Sequence, residues 1–135
     1  MKKGFTLIEL LAVIVILAII ALIATPIILG IINDAREEAE TRTAELVASS
    51  VELAYTGYLF EHGGNTPADL CAFMNDHFAM DGATLTTCTA GSNNGTVTVG
   101  EDTYTVTYAN GMATVAGGTN VHAGLTPINV KLATK

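Results

Sequence analysis

Tryptophan is absent from this chain of 135 residues, and aromatic side chains make up only 6% of it. Basic side chains are almost as scarce. Lys2, Lys3, Arg36, Arg42, Lys131 and Lys135 face thirteen acids, for a formal net charge of −7. So acidic a chain has no long-range attraction for a phosphate backbone, and direct nucleic-acid binding is disfavoured. Charged residues of both signs reach 14%, where about 25% is usual. A nucleophile–base motif, a phosphate-binding glycine loop and a cofactor fingerprint are all missing. His62, His77 and His122 stand apart in the sequence and have no metal-ligand spacing. Asp76-His77 with Asp81 could offer ligands, as could Asn93, Asn94, Glu101 and Asp102 if they met at one end of a sheet. Turn chemistry accounts for the latter set better. The expectation is no enzyme, no cofactor and no metal.

Charge disappears altogether between Leu10 and Ile32, where sixteen residues are Leu, Ile or Val. At about 0.3–0.6 kcal/mol each near a bilayer centre, they favour insertion by roughly 5–10 kcal/mol. The run is long enough to span a hydrocarbon core, since about 20 helical residues suffice. Lys2 and Lys3 precede it, and Asp34, Glu37, Glu38 and Glu40 follow it. The positive-inside rule then places Met1 in the cytoplasm and the polar remainder outside. Cleavage by the ordinary secretory peptidase is disfavoured, because Leu22 would stand at −3 for a cut after Ala24. A plain membrane anchor explains the run but not Glu9. A carboxylate just inside an apolar segment costs up to about 3 kcal/mol if it lies deep, and such residues usually have a role.

Gly4-Phe5-Thr6-Leu7-Ile8-Glu9, behind a short lysine-bearing leader and ahead of the apolar run, resembles the class III signal of type IV pilins and pseudopilins. The likeness extends to about Tyr55. The short leader and the run Ala24 to Gly30 look most like pilins of Gram-positive bacteria. The resemblance implies that prepilin peptidase cuts between Gly4 and Phe5, that Phe5 is N-methylated, and that Glu9 pairs with the α-amino group of Phe5 on a neighbouring subunit. It also implies a helix that kinks or melts around Pro26 and Gly30. Pro26 cannot donate to the carbonyl of Leu22. The glycine that the family often has eight residues before the proline is Ala18 here. Glu9 has a physical reason of its own. An amine at a helix N-terminus faces the positive end of the dipole, and a neighbour's carboxylate relieves it. Subunits in the right axial register satisfy both charges, and subunits out of register leave both ions costly.

Beyond Ile32 the pattern becomes amphipathic. Ala35, Ala39, Leu46, Val47, Val51, Ala54, Tyr55, Tyr58 and Leu59 recur at three- and four-residue steps. One helix is expected from about Phe5 to about Phe60, ended by Gly63-Gly64, with His62 in its last turn. Thr66-Pro67-Ala68-Asp69 reads as a second helix start, with Thr66 as N-cap. Thr then alternates with apolar residues along Thr96–Val99 and Thr103–Tyr108, and Asn110-Gly111 signals a hairpin into Met112–Val115. A further strand fits Leu85–Thr89 or Ile128–Leu132, and Gly117-Gly118 and Gly124 suggest a loose C-terminal stretch. Cys71 and Cys88, in a domain outside the cytoplasm, favour a disulfide over two buried thiols.

The expected fold is therefore α+β and type IV pilin-like, a long helix packed on a small antiparallel sheet. Residues 1–4 would be the leader, 5–32 the membrane and filament-core helix, and 33–62 its amphipathic half. Residues 63–135 would form a head, with a helix at about 67–78 and a β-meander at about 84–116. The function implied by the resemblance is a pilus subunit for adhesion or motility. A pseudopilin of a type II secretion or competence system, or a minor pilin, shares the same N-terminal features. A membrane-tethered binding module that keeps residues 1–4 is the reading from another class. The implied partners are further copies of the chain in a helical homopolymer, prepilin peptidase, an assembly platform and its motor ATPase, and the membrane before assembly. The precursor would sit in the cytoplasmic membrane, and the filament on the cell surface.

Overall fold

The computed structural model describes Gly4 and residues 6–132. Lys2, Lys3 and Phe5, which carry the expected leader charges and the new N-terminus, lie outside the described residues. Two helices and five strands follow in order: α1 (Leu7–Glu61), α2 (Leu70–His77), β1 (Ala83–Thr87), β2 (Asn94–Val99), β3 (Asp102–Ala109), β4 (Met112–Gly117) and β5 (Ile128–Lys131). This is an α+β architecture like that of type IV pilins. The chain divides after Arg36 into two compact units.

The first unit is helical from Leu7 onward, and its large apolar side chains find no cover among the described residues. They range from 48% exposed at Val15 to 83% at Leu7. The backbone satisfies itself along the helix, so such a segment is at home in hydrocarbon or in an apolar assembly. It is the one helix among the described residues long and apolar enough to cross a membrane. Pro26 lies inside α1, which is helical on both sides of it.

The second unit begins at Glu37. Its five-stranded sheet has the order β1-β2-β3-β4-β5, every neighbouring pair antiparallel. Both candidate extra strands are present, as β1 and β5. Asn110 (φ 52) and Gly111 (φ 75) turn β3 into β4 with the two positive φ angles that a type I′ turn demands. Alternation then sends Val97, Tyr104, Val106, Ala113 and Val115 to the buried face and leaves the threonines toward solvent. Val97 stands opposite Tyr104 and Val106 opposite Val115. These residues join Val47, Val51 and Tyr55 of α1 and Leu70, Phe73 and Met74 of α2 in one core.

The buried stripe of α1 differs from the expected one. Val47, Val51, Ala54 and Tyr55 are buried, but Ala35, Ala39 and Leu46 are exposed. Their places are taken by Glu40, Ala44 and Ala48. Small side chains let other elements approach the helix closely, which a step pattern of large apolar residues does not reveal. The helix ends as expected in Gly63 (φ 63) and Gly64 (φ 86). The Gly64 N–H donates to the Leu59 carbonyl at 2.6 Å, the six-to-one bond of a Schellman cap. His62 lies one residue past the last helical residue, and its N–H still donates to the Tyr58 carbonyl at 2.9 Å as in a last helical turn.

Two further expectations are corrected. Asp69, not Thr66, caps α2. Its backbone is extended (φ −152, ψ 172), and its Oδ1 accepts the Ala72 N–H at 2.9 Å. An ionised acceptor at the positive end of a helix is the stronger cap. Nor is the stretch after β4 loose. A Cβ on Gly117 would come within 2.8 Å of Val121 Cγ1, and one on Gly118 within 2.9 Å of the Thr103 carbonyl oxygen. These glycines permit a close approach. The Gly118 N–H donates to the Thr103 carbonyl at 2.8 Å, and the Thr103 N–H to the Thr119 carbonyl at 3.0 Å. The loop thereby delivers His122 to the buried carboxylate of Glu40. Glu40 Oε2 accepts the His122 backbone N–H at 3.0 Å and also contacts its ring Nδ1.

Two buried tyrosines should respond differently to loss of the hydroxyl. Tyr104 Oη donates to the Glu40 carbonyl at 3.4 Å, whereas Tyr55 Oη is buried with no hydrogen-bond partner among the described residues. Tyr55→Phe should be neutral or stabilising by up to about 1 kcal/mol, and Tyr104→Phe should cost about 1 kcal/mol at neutral pH. Burial raises the Tyr104 pKa above its ordinary 10.0, and the nearby Asp102 and Glu40 charges add to the rise. The folded chain therefore holds this proton to higher pH than the unfolded chain. Its stability should fall as pH climbs past 10.0, and Tyr104→Phe should flatten that fall in alkaline denaturation curves.

Candidate assembly site at the N-terminus

α1 starts where it does because of a cap that lies inside the Gly4 to Glu9 motif. Thr6 Oγ1 accepts the Glu9 N–H at 3.1 Å, and the Thr6 carbonyl accepts the Leu10 N–H at 3.1 Å. Thr6 is thus the N-cap and Glu9 the N3 residue, the spacing of a capping box. The signal was present in the sequence as Thr-x-x-Glu before an apolar run. Glu9 is the acid of the first helical turn, where a negative charge is stabilised by the dipole. It is exposed, and so are its neighbours Ile8 and Leu10. A carboxylate in such a place has an apolar flank on either side and no cover among the described residues.

Gly4 is exposed, and a Cβ built on it would meet nothing within 4 Å among the described residues. Among the described residues nothing demands glycine at this position. A requirement for it has to come from something that approaches the backbone from outside. Thr6 lies beyond the expected cut, so removal of residues 1–4 leaves the helix cap in place.

Farther along α1, Gly30 is equally open, and a Cβ there would also meet nothing within 4 Å among the described residues. Thr25 Oγ1 donates to the Ala21 carbonyl at 2.6 Å, one residue before Pro26. A hydroxyl that bonds back to a helix carbonyl tends to bend the helix.

Cys71 and Cys88 are joined in a disulfide. Asn93 and Asn94 do not meet Glu101 and Asp102. The antiparallel pairing sets Asn94 opposite Thr107 and Asp102 opposite Val99, so the two groups lie at opposite ends of β2. They serve separate contacts: Asn93 Oδ1 accepts the Leu70 N–H at 3.1 Å, and the Glu101 carbonyl accepts from Asn120 Nδ2 at 2.7 Å. His77 is drawn to Glu61 and His62 rather than grouped with Asp76 and Asp81.

Residues 1–25 match the prokaryotic N-terminal methylation motif, the class III signal of type IV pilins. No curated protein and no solved structure matches the chain. The motif supports a type IV pilin-like or pseudopilin-like protein with a structural role. It also implies processing by prepilin peptidase, and with the apolar helix it fits a membrane-anchored precursor.

Proposed function

We propose that this chain is a structural subunit of a type IV pilus. The single observation that carries the reading is a methylation motif over residues 1–25 that continues into a helix whose large apolar side chains are uncovered. In this reading Lys2 and Lys3 stay in the cytoplasm as the precursor inserts. Prepilin peptidase cuts between Gly4 and Phe5 and methylates Phe5. An assembly platform, driven by a motor ATPase, then extracts subunits into a helical homopolymer on the cell surface. The apolar segment exchanges lipid for the same segment of its neighbours. That exchange alone gives little hydrophobic gain, so packing and the pairing of Glu9 with the Phe5 amine decide stability. Pro26 and Gly30 are the positions at which the helix kinks or melts when subunits pack.

A second apolar feature favours lateral packing over a lone tether. Leu46, Leu53 and Phe60 are 57%, 71% and 92% exposed. They recur every seven residues, which places them on one stripe of α1. A monomeric anchor has no use for such a stripe on its polar half, whereas a polymer covers it.

The test is the mass of the N-terminal peptide from material sheared off the cell surface. A peptide beginning at Phe5 and heavier by one methyl group is expected. A peptide beginning at Met1 and recovered only from membranes would overturn the filament reading in favour of an uncut tether. Imaging of the sheared material separates long abundant fibres from the short structures of a pseudopilin.

A further inference from the structure

We propose that Glu61, His62 and His77 form a binding site for a zinc-type divalent metal ion, which would clamp the C-terminal end of α1 to that of α2. The two histidines are fifteen positions apart in sequence, and the turn through Gly63 and Gly64 brings them together. One carboxylate oxygen of Glu61 and one ring nitrogen from each histidine lie within 4.8 Å of one another. Metal–nitrogen and metal–oxygen bonds of about 2.0–2.2 Å put tetrahedral ligands about 3.4 Å apart, so no separation needs to close by more than about 1.4 Å. Glu61 and His62 are both exposed, so a small adjustment of either meets no packed neighbour on the solvent side.

The surroundings prepare both imidazoles. His62 Nδ1 lies 3.0 Å from the Tyr58 carbonyl oxygen. A carbonyl can only accept, so Nδ1 holds the proton and Nε2 keeps the lone pair a metal needs. A backbone carbonyl on the other ring nitrogen is the usual support for a ligand histidine. The His62 ring also stacks on Tyr58, with centroids 3.9 Å apart and planes at 12°. Tyr58 meets the His77 ring edge-on, at 6.0 Å and 88°. One aromatic side chain thus sets the orientation of both rings.

His77 supplies a further observation. Its Nε2 is buried and makes no aligned hydrogen bond among the described residues, although Glu61 Oε2 is only 2.9 Å away. The two atoms are close but their geometry is off the line of a hydrogen bond. A cation seated beside them would satisfy both. The Glu61 side chain, 65% exposed, covers that nitrogen and can swing to admit an ion. His77 closes α2 and Glu61 closes α1, so the site faces the negative ends of two helices, which favour positive charge. Two imidazoles and a carboxylate suit zinc better than calcium or magnesium, which prefer oxygen ligands throughout.

Zinc chloride titrated into the full chain in detergent micelles, followed by calorimetry and thermal unfolding, tests this. One equivalent should bind per chain and raise the unfolding temperature, and a chelator should reverse the rise. His62→Gln, at an exposed position, and His77→Ala should each weaken binding about tenfold or more. His122→Gln, at the other partnered histidine, should leave the zinc affinity unchanged. No saturable binding, or equal affinity in His62→Gln and the parent chain, overturns the proposal. The latter result would assign the zinc to scattered surface acids. Because His62 is exposed and lies outside α2, its variant remains informative even if His77→Ala disturbs α2.

Discussion

Glu9→Ala is expected to leave cleavage after Gly4 intact and to lower filament yield by about two to three orders of magnitude. The size follows from what remains when one partner is removed. In the assembled state the Phe5 amine would lie in an apolar environment without its counter-ion. Removing one member of a buried pair costs about 3–5 kcal/mol, and each 1.4 kcal/mol is a factor of ten in an equilibrium constant. The variant is not a folding variant. The cap of α1 uses the Glu9 backbone N–H and the Thr6 hydroxyl, and alanine retains that N–H and has the best helix propensity. Thr6 also sits beyond the cut, so the mature helix begins at the same place in both chains. Glu9→Gln keeps the shape of the side chain and loses its charge. It should behave like alanine if charge pairing sets the register, and like the parent if shape does. Peptide mass reads cleavage, and sheared fibre mass reads assembly. Fibres from Glu9→Ala at parental yield would show that Glu9 has no part in assembly, whatever happens at Gly4.

The features legible in the sequence were those that a linear pattern carries by itself. The apolar run needs only composition, and the methylation motif needs only six adjacent residues. The Asn110-Gly111 turn and the Thr/Val alternation of β2 and β3 need only periods of two. The long helix and its glycine end were legible for the same reason. Contacts between distant segments were not. Glu40 follows Ala39 in a run of acids and reads as solvated, but His122, 82 positions away, buries it. His62 and His77 read as isolated because only the path between α1 and α2 makes them neighbours. Leu46 reads as core by its seven-residue step from Ala39, yet it is exposed while Ala44 and Ala48 are fully or nearly buried. Periodicity locates a face within about one residue, and the sheet selects the narrower side. The Thr6 cap is the exception, a local pattern whose role in the motif is masked by the more conspicuous Glu9.

Removal of the disulfide, as Cys71→Ala with Cys88→Ala, should cost about 3 kcal/mol. The bond closes a loop with a sequence separation of 17, and the chain-entropy relation gives about 3 kcal/mol for a loop of that order. For a unit of about 100 residues this lowers the unfolding midpoint by roughly 10–25 °C. Alanine is the right replacement because Cys71 is 1% exposed, and a serine hydroxyl there would add the penalty of a buried polar group. The bond is one of several ties on the start of α2. The Cys71 N–H donates to the Ser92 carbonyl at 3.2 Å, and Asn75 Nδ2 to the Cys88 carbonyl at 3.3 Å. Gly95 belongs to the same junction, since a Cβ there would lie 3.1 Å from Cys88 Sγ and 3.3 Å from the Thr87 carbonyl oxygen. Without the crosslink the core anchors Leu70, Phe73 and Met74 remain, so α2 should still dock and the loss should appear as a lower midpoint rather than a lost helix. Thermal unfolding of the full chain in micelles, with and without reductant, checks this. The reduced parent and the double variant should coincide, and a shift below about 4 °C, equivalent to less than about 1 kcal/mol, would show that core packing alone holds α2.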